Sequence, residues 1–381
     1  MRILTCLITM LVCLNACQPK GANQKKTGDD SSSFAPAENV PAPPKALAKY
    51  QSLKGTLAGQ PVTMNLASFE ENNLDGWYFY DNVGEPIQVE GRRENNGRIS
   101  LTEYNRDSDS CVFTGTFNTD GTFTGHWTGK GKSFPFNLKE DTTGTIRFTT
   151  ITHEDSLNLL PGREDSPQGT STGSIVWPTG GADEAVLVFI RKTIAPKYKT
   201  GDDAGVFLKQ QADAFFKEYN GIRGDVDTTE LKDRGFSWNW DESSRTNVVI
   251  NKWPLLALET FSSSYTGGAH GNHGTGFQLL DLSAKKVLKP ADVFKPGYKK
   301  ALSAALDKAF RKQYSIPAGE PLDKQYLFAR IIEPNDNFYL TPKGAVFSYT
   351  PYEIGPYAVG QITLFVPFSD IKGIVKETYL Q

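Results

Sequence analysis

Val112-Phe113-Thr114-Gly115-Thr116-Phe117-Asn118-Thr119-Asp120-Gly121-Thr122-Phe123-Thr124-Gly125-His126-Trp127 alternates apolar with small or polar residues on both sides of an Asp-Gly turn. Side chains along a strand point alternately to opposite faces, so this stretch predicts a hairpin with one buried face. The same period continues at Phe134, Phe136 and Leu138. It also runs back through Ile87 and Val89 to Val62, Met64 and Leu66. Turn formers at Asp81-Asn82-Val83-Gly84 and Asn95-Asn96-Gly97 separate these runs. About eight short strands at close spacing predict a small all-β domain, an antiparallel barrel or sandwich, over residues 46–141.

The texture changes after residue 141. Ala185-Val186-Leu187-Val188-Phe189-Ile190 reads as a strand buried on both faces. Ala204, Leu208, Ala212, Phe215, Phe216 and Tyr219 share one face of a helix, with Asn220-Gly221 as a left-handed stop. Strands are expected at Thr246–Asn251 and Leu255–Ser264, and a second helix from Tyr298 to about Tyr314 buries Leu302, Leu306 and Phe310. Strands near Phe338–Leu340, Ala345–Tyr349 and Gln361–Val366 end the chain. This pattern predicts an α+β module with helices on one face of an antiparallel or mixed sheet, in two parts, 142–275 and 276–381. A fragment starting near residue 142 is expected to fold alone. Proteases are expected to cut before residue 46 and then within Thr142–Thr172, where Gly, Ser, Thr and Pro accumulate.

The first 16 residues carry one charge, Arg2, and an apolar run from Ile3 to Leu14, followed by Leu14-Asn15-Ala16-Cys17. The run is too short to span a bilayer and has the form of a secretory signal, 1–16. Leu-x-Ala-Cys resembles a bacterial lipobox, so Cys17 is expected to become an acylated N-terminus that anchors the protein to a membrane. The expected location is extracytoplasmic, at the outer membrane in preference to the inner. Residues 17–45 are polar and proline-rich and read as a disordered tether. Cys111 is then the last cysteine outside the leader and anchor, and it reads as a buried small hydrophobe.

Composition narrows the function. The 381 residues carry 41 Lys plus Arg against 43 Asp plus Glu, so there is no basic excess to displace phosphate counterions, and nucleic acid is not an expected partner. A mean hydropathy of −0.41 excludes a polytopic helical membrane protein. Aromatics are plentiful, with 6 Trp, 15 Tyr and 23 Phe, so a sizeable core can form.

Two segments carry candidate binding chemistry. Ser264-Tyr265-Thr266-Gly267-Gly268-Ala269-His270-Gly271-Asn272 leaves a strand through a glycine-rich bend that would present Tyr265, His270 and Asn272. Tyr349-Thr350-Pro351-Tyr352-Glu353-Ile354-Gly355-Pro356-Tyr357 sets Tyr349, Tyr352 and Tyr357 around Glu353 between two prolines that fix φ. With Phe338-Tyr339-Leu340-Thr341-Pro342-Lys343-Gly344 and Leu288-Lys289-Pro290-Ala291-Asp292-Val293-Phe294, they resemble the paired extracytoplasmic module, of DUF4163 and DUF3298 type, found in lysozyme-sensing anti-sigma factors of the RsiV type and beside the catalytic domain of some peptidoglycan deacetylases. The resemblance spans about residues 145–376. It implies envelope binding of a lysozyme-like protein or a peptidoglycan fragment. The sigma-binding and membrane-spanning segments of those anti-sigma factors, and the metal-binding motifs of those deacetylases, have no counterpart here.

Other chemistries fit the residues less well. His270 and His273 lack the further ligands and spacing of a zinc site, so no metal or cofactor is expected. Ser262, Ser263 and Ser264 lie outside any Gly-x-Ser-x-Gly elbow, and no catalytic residue is assigned. Gly129-Lys130-Gly131-Lys132-Ser133 sits between strands and reads as a hairpin turn, not a phosphate loop. The reading is a non-catalytic envelope lipoprotein. The alternatives are a wall-acting hydrolase or deacetylase accessory, and a structural scaffold.

Overall fold

Eight antiparallel strands close on themselves in the order β1 to β8: Tyr50–Leu57, Gln60–Ser68, Asn73–Tyr80, Ile87–Arg93, Arg98–Tyr104, Val112–Phe117, Thr122–Gly129 and Lys132–Glu140. They belong to a computed structural model that describes residues 49–380, except 71, 105–109, 230 and 232–234, and the side chain of Phe236. The leader, Cys17 and the tether lie outside the described residues. Closure runs through β1 and β8, with Leu53 opposite Glu140 and Leu57 opposite Phe136. Inside the barrel, Phe113, Phe123 and Phe136 pack in edge and tilted pairs 4.7–5.3 Å apart, together with Leu53, Met64 and Ile99. Lys130 and Gly131 take positive φ at the β7–β8 turn, so the segment is a hairpin turn as expected.

A six-stranded sheet follows, in the order β14-β13-β12-β11-β10-β9. Its strands are β9 (Arg147–Asn158), β10 (Gln168–Gly180), β11 (Trp240–Lys252), β12 (Leu255–Tyr265), β13 (Asn272–Asp281) and β14 (Lys286–Leu288). The β10–β11 pair is parallel and the others are antiparallel, so the sheet is mixed. Two helices, α1 (Glu184–Ile194) and α2 (Ala204–Gly221), supply the β10–β11 crossover and cover one face. A one-turn helix α3 (Pro290–Val293) and the longer α4 (Tyr298–Tyr314) precede β15 (Phe338–Thr341), β16 (Gly344–Tyr349) and β17 (Ile362–Pro367), which form a small antiparallel sheet.

Three local expectations are corrected. The 185–190 run is not a strand but the body of α1. Asp183 caps it by accepting from Val186 N at 2.9 Å, and Val186, Leu187, Ile190 and Ile194 are buried at helical spacing. A short apolar run fits either structure, and the cap decided the matter. The Thr142–Thr172 stretch is not an open linker, because β9 and the start of β10 occupy most of it. Its Ser, Thr and Gly serve close packing: a Cβ at Gly169 would stand 2.5 Å from the Tyr219 ring of α2. Finally, α2 does not end on a left-handed glycine. Gly221 keeps helical φ, and the chain passes directly into a 3-10 turn at Ile222–Asp225.

The barrel is joined to the sheets through a shared core. Asp75, Trp77 and Phe79 point outward from β3, and Trp77 and Phe79 pack with Val249, Phe277 and Tyr339 of the two sheets. Tyr50 Oη donates to Asn65 Oδ1 at 2.9 Å, and Asn65 Nδ2 donates to Val249 O at 3.0 Å. Asn251 Nδ2 reaches Tyr50 Oη and Ile146 O, while its Oδ1 accepts from Ile146 N at 2.8 Å. These buried amides are satisfied only when both parts are present.

Candidate functional site

The two segments singled out in the sequence meet in space at the start of β13, on the side that β14 does not reach. After β12 the chain turns through Gly267 and Gly268, with φ of +92° and +93°, conformations that a side chain would strain. Gly271 does not supply a second such bend. It is needed for close approach, since a Cβ there would lie 2.8 Å from Ser264 O. His270 is thereby stacked on the Tyr357 ring at 4.4 Å. Tyr357 Oη donates to Gly271 O at 2.8 Å and lies 3.1 Å from His273 Nδ1. Tyr352 stands 5.5 Å from Tyr357, centroid to centroid.

The candidates separate into presenting and supporting residues. Tyr352 is 56 % exposed and holds φ +71°, a strained conformation for a bulky residue and one that often marks a functional position. Tyr265 Oη donates to Gly268 O at 3.0 Å and fixes the bend. Glu353 is occupied, accepting from Thr350 N of its own turn at 2.9 Å and from Asn335 Nδ2 outside it at 2.7 Å. Tyr349 is 1 % exposed, with its hydroxyl on Glu333 O at 2.8 Å, so it belongs to the core and cannot touch a partner. The β13 edge beside this loop is paired by side chains: Asn337 donates to Thr275 O and accepts from Phe277 N, and Gln361 bonds both Thr275 N and Thr275 O.

Beside Tyr352 and Tyr357 runs a groove of about 710 Å³. Hydroxyls border it. Ser243 and Ser263 face each other at 2.9 Å, and Ser171 Oγ donates to Glu242 at 2.8 Å. Asn272 and Ser264 lie at its β12–β13 end, and α2 forms its far wall through Gln211 and Glu218. Desolvation raises the Glu242 carboxyl above its usual range. Exposed tyrosine edges beside a hydroxyl-lined furrow can hold polar, ring-shaped ligands and flat protein loops. Among the described residues, no group of three His, Cys, Asp or Glu is arranged to hold a metal ion.

A larger cleft of about 1250 Å³ opens between the barrel, the mixed sheet and the small sheet, with Glu259 at its base. Trp77 Nε1 donates to Glu259 Oε2 at 3.0 Å. Burial, with repulsion from Asp75, pushes the Glu259 carboxyl up to about 7. Burial also lifts Asp75 to about 6, against Arg245 Nη2 at 2.9 Å and a bond from Asn247 Nδ2 at 2.9 Å. None of these residues was singled out in the sequence. One signal was present: in Leu255-Leu256-Ala257-Leu258-Glu259-Thr260-Phe261, a lone carboxylate occupies a register facing the core.

Residues 291–369, which include α4, the small sheet and the Tyr352–Tyr357 loop, match the family described as DUF3298, protein of unknown function. No curated protein matches the chain. The crystal structure of a DUF3298 family member from Bacteroides fragilis is similar over 62% of this chain and 96% of its own, with 24% identity and a TM-score of 0.56. A DUF3298 family protein from Pseudomonas aeruginosa PAO1 aligns over 61% of this chain and 96% of its own, with 19% identity and a TM-score of 0.42. No helix among the described residues is long and apolar enough to cross a membrane. The chain thus carries a DUF3298 domain at residues 291–369, and the Bacteroides fragilis structure similar to it is of that family.

Proposed function

We propose that this protein is a non-catalytic envelope lipoprotein, anchored through acylated Cys17, that holds a cell-wall partner in the groove beside Tyr352 and Tyr357. The partner is a peptidoglycan fragment or a lysozyme-like protein, as the likeness to the lysozyme-sensing module implies. The carrying observation is Tyr352, a bulky side chain held at φ +71° and 56 % exposed against the stacked His270–Tyr357 pair. Strain of about 1–3 kcal/mol persists where the surroundings impose it, and here they present an aromatic ring to solvent. With the 16-residue leader and its Arg2 removed, 43 acidic side chains outnumber the remaining basic ones, which favours encounter with a basic lysozyme by steering.

The test is a titration with muropeptides and with lysozymes. Truncating a central tyrosine typically costs about 2 kcal/mol, so Tyr352→Ala is expected to weaken binding roughly thirtyfold. His270→Ala is expected to weaken it less. If neither class binds, or both variants bind as the parent does, the scaffold reading takes precedence.

A further inference from the structure

The cleft above Glu259 has the makings of a second site, independent of the groove. Phe261 of β12 and Phe365 of β17 form half-buried side walls, and Trp77, Phe277 and Tyr339 close the base. Glu259 is 5 % exposed and faces this space. Trp77 holds one of its carboxyl oxygens, and among the described residues no protein donor bonds the other. A buried carboxylate without a cation is costly, and the cost is relieved by a proton or by a partner.

The charges around it do not balance. Asp75, also 5 % exposed, and Glu259 lie close enough to repel each other, and Arg245 is the cation that serves both. Its guanidinium is paired to Asp75 at 2.9 Å. Across the cleft, Lys308 of α4 is paired to Asp370 at 2.9 Å. Lys312 of α4 and Glu85 of the barrel also line the cleft, and Glu90, the β4 partner of Asp75, adds repulsion to it. His273 is at the other end, turned toward Tyr357 Oη at 3.1 Å. The Tyr339 hydroxyl is raised by burial and remains neutral. Two buried acids thus share one base, and with both ionised the cluster is one positive charge short.

We propose that this cleft binds an organic cation, a primary ammonium on an apolar or aromatic body, with the ammonium on Glu259 and the body between Phe261 and Phe365. The ammonium supplies the missing charge, and the aromatic walls favour a cation through their negative ring faces. A neutral hydrogen-bonding ligand can bond the carboxyl but brings no charge to offset the paired acids.

Calorimetric titration of the full chain with phenethylammonium at pH 7, in two buffers of different ionisation enthalpy, tests the proposal. Binding is expected to release protons, because burial holds part of the Glu259 carboxyl protonated at this pH and it must ionise to hold the cation. The neutral isostere 2-phenylethanol is expected to bind at least about tenfold more weakly, since it cannot pair with the carboxylate. Glu259→Gln should lower amine affinity to that of the alcohol and abolish proton release. Should that variant misfold, Phe365→Ala is the second probe, expected to weaken both ligands with proton release unchanged. Tyr352→Ala should leave amine binding intact, which separates this site from the groove. No amine binding, equal affinity for amine and alcohol, or full amine affinity in a folded Glu259→Gln protein overturns the proposal.

Discussion

The two faces of the mixed sheet are built from the same strands and have opposite chemistry. Toward α1 and α2, Ile175, Val248, Leu256, Leu258 and Leu280 form an aliphatic layer. Toward the barrel and the small sheet, the alternate positions of β11 and β12 carry Arg245, Asn247 and Glu259 before giving way to Val249 and Ala257. The difference follows from what covers each face. A helix that crosses over within the same sheet can bury a dry stripe. A junction of three separately formed layers leaves gaps, and polar groups there are tolerated because partners arrive from another element. Asp75 and Trp77 come from β3, more than 160 residues from Asn247 and Glu259. The cleft lies where these three layers meet, whereas the groove runs between α2, the mixed sheet and the 350–357 loop.

The largest effect should come from separating the layers. The sequence alone predicts that residues 142–381 fold without the barrel, and the shared core predicts that they do not. Loss of Trp77 and Phe79 alone removes two large buried side chains, worth about 3–5 kcal/mol each when truncated, against a total stability of about 5–15 kcal/mol for a domain. Circular dichroism of the fragment is expected to show a poorly packed chain without a cooperative melt. A fragment that melts cooperatively near the parent's temperature would mean that the two faces are energetically independent.

A smaller effect sharpens the contrast at one residue. Burial lifts the Glu259 carboxyl to about 7 in the folded chain, above its ordinary value of 4.5 in an unfolded one. The folded state therefore holds more protons between those values, and stability falls as pH rises through that window. Glu259→Gln, which cannot ionise, is expected to gain about 2 kcal/mol on the parent between pH 5 and pH 8. Asp75, raised to about 6, adds the same sign over its own window in both proteins. Denaturant melts at the two pH values measure the difference. A pH-independent offset between the two proteins would place Glu259 in a wetter setting than its burial indicates.

The smallest effect is at the exposed loop. Tyr352→Gly relieves the positive φ and is expected to stabilise the fold by up to about 1 kcal/mol. The same change is expected to weaken groove binding roughly thirtyfold, as Tyr352→Ala does. A melt and a binding titration on one variant read both, and destabilisation would show that the Tyr352 ring contributes packing after all.

The sequence by itself determined the elements whose signal is local. Phe113, Phe117, Phe123 and Trp127 on either side of Asp120-Gly121 were enough for the β6–β7 hairpin, because period-2 burial and turn chemistry act within a few residues. The buried face of α2, from Ala204 to Tyr219, was legible for the same reason. Gly267 and Gly268 announced their bend through the φ that only glycine adopts freely. The 185–190 run was ambiguous because a short apolar stretch satisfies either period until Asp183 caps it. Tertiary structure alone decided that His270 stacks on Tyr357 while Tyr349, eight residues before Tyr357, turns into the core. It also decided that Trp77 meets Glu259 across 182 residues of chain. Side-chain pairing across separate layers depends on the register and orientation with which those layers dock. Those in turn follow from the summed packing of the whole core, which no local pattern of residues encodes.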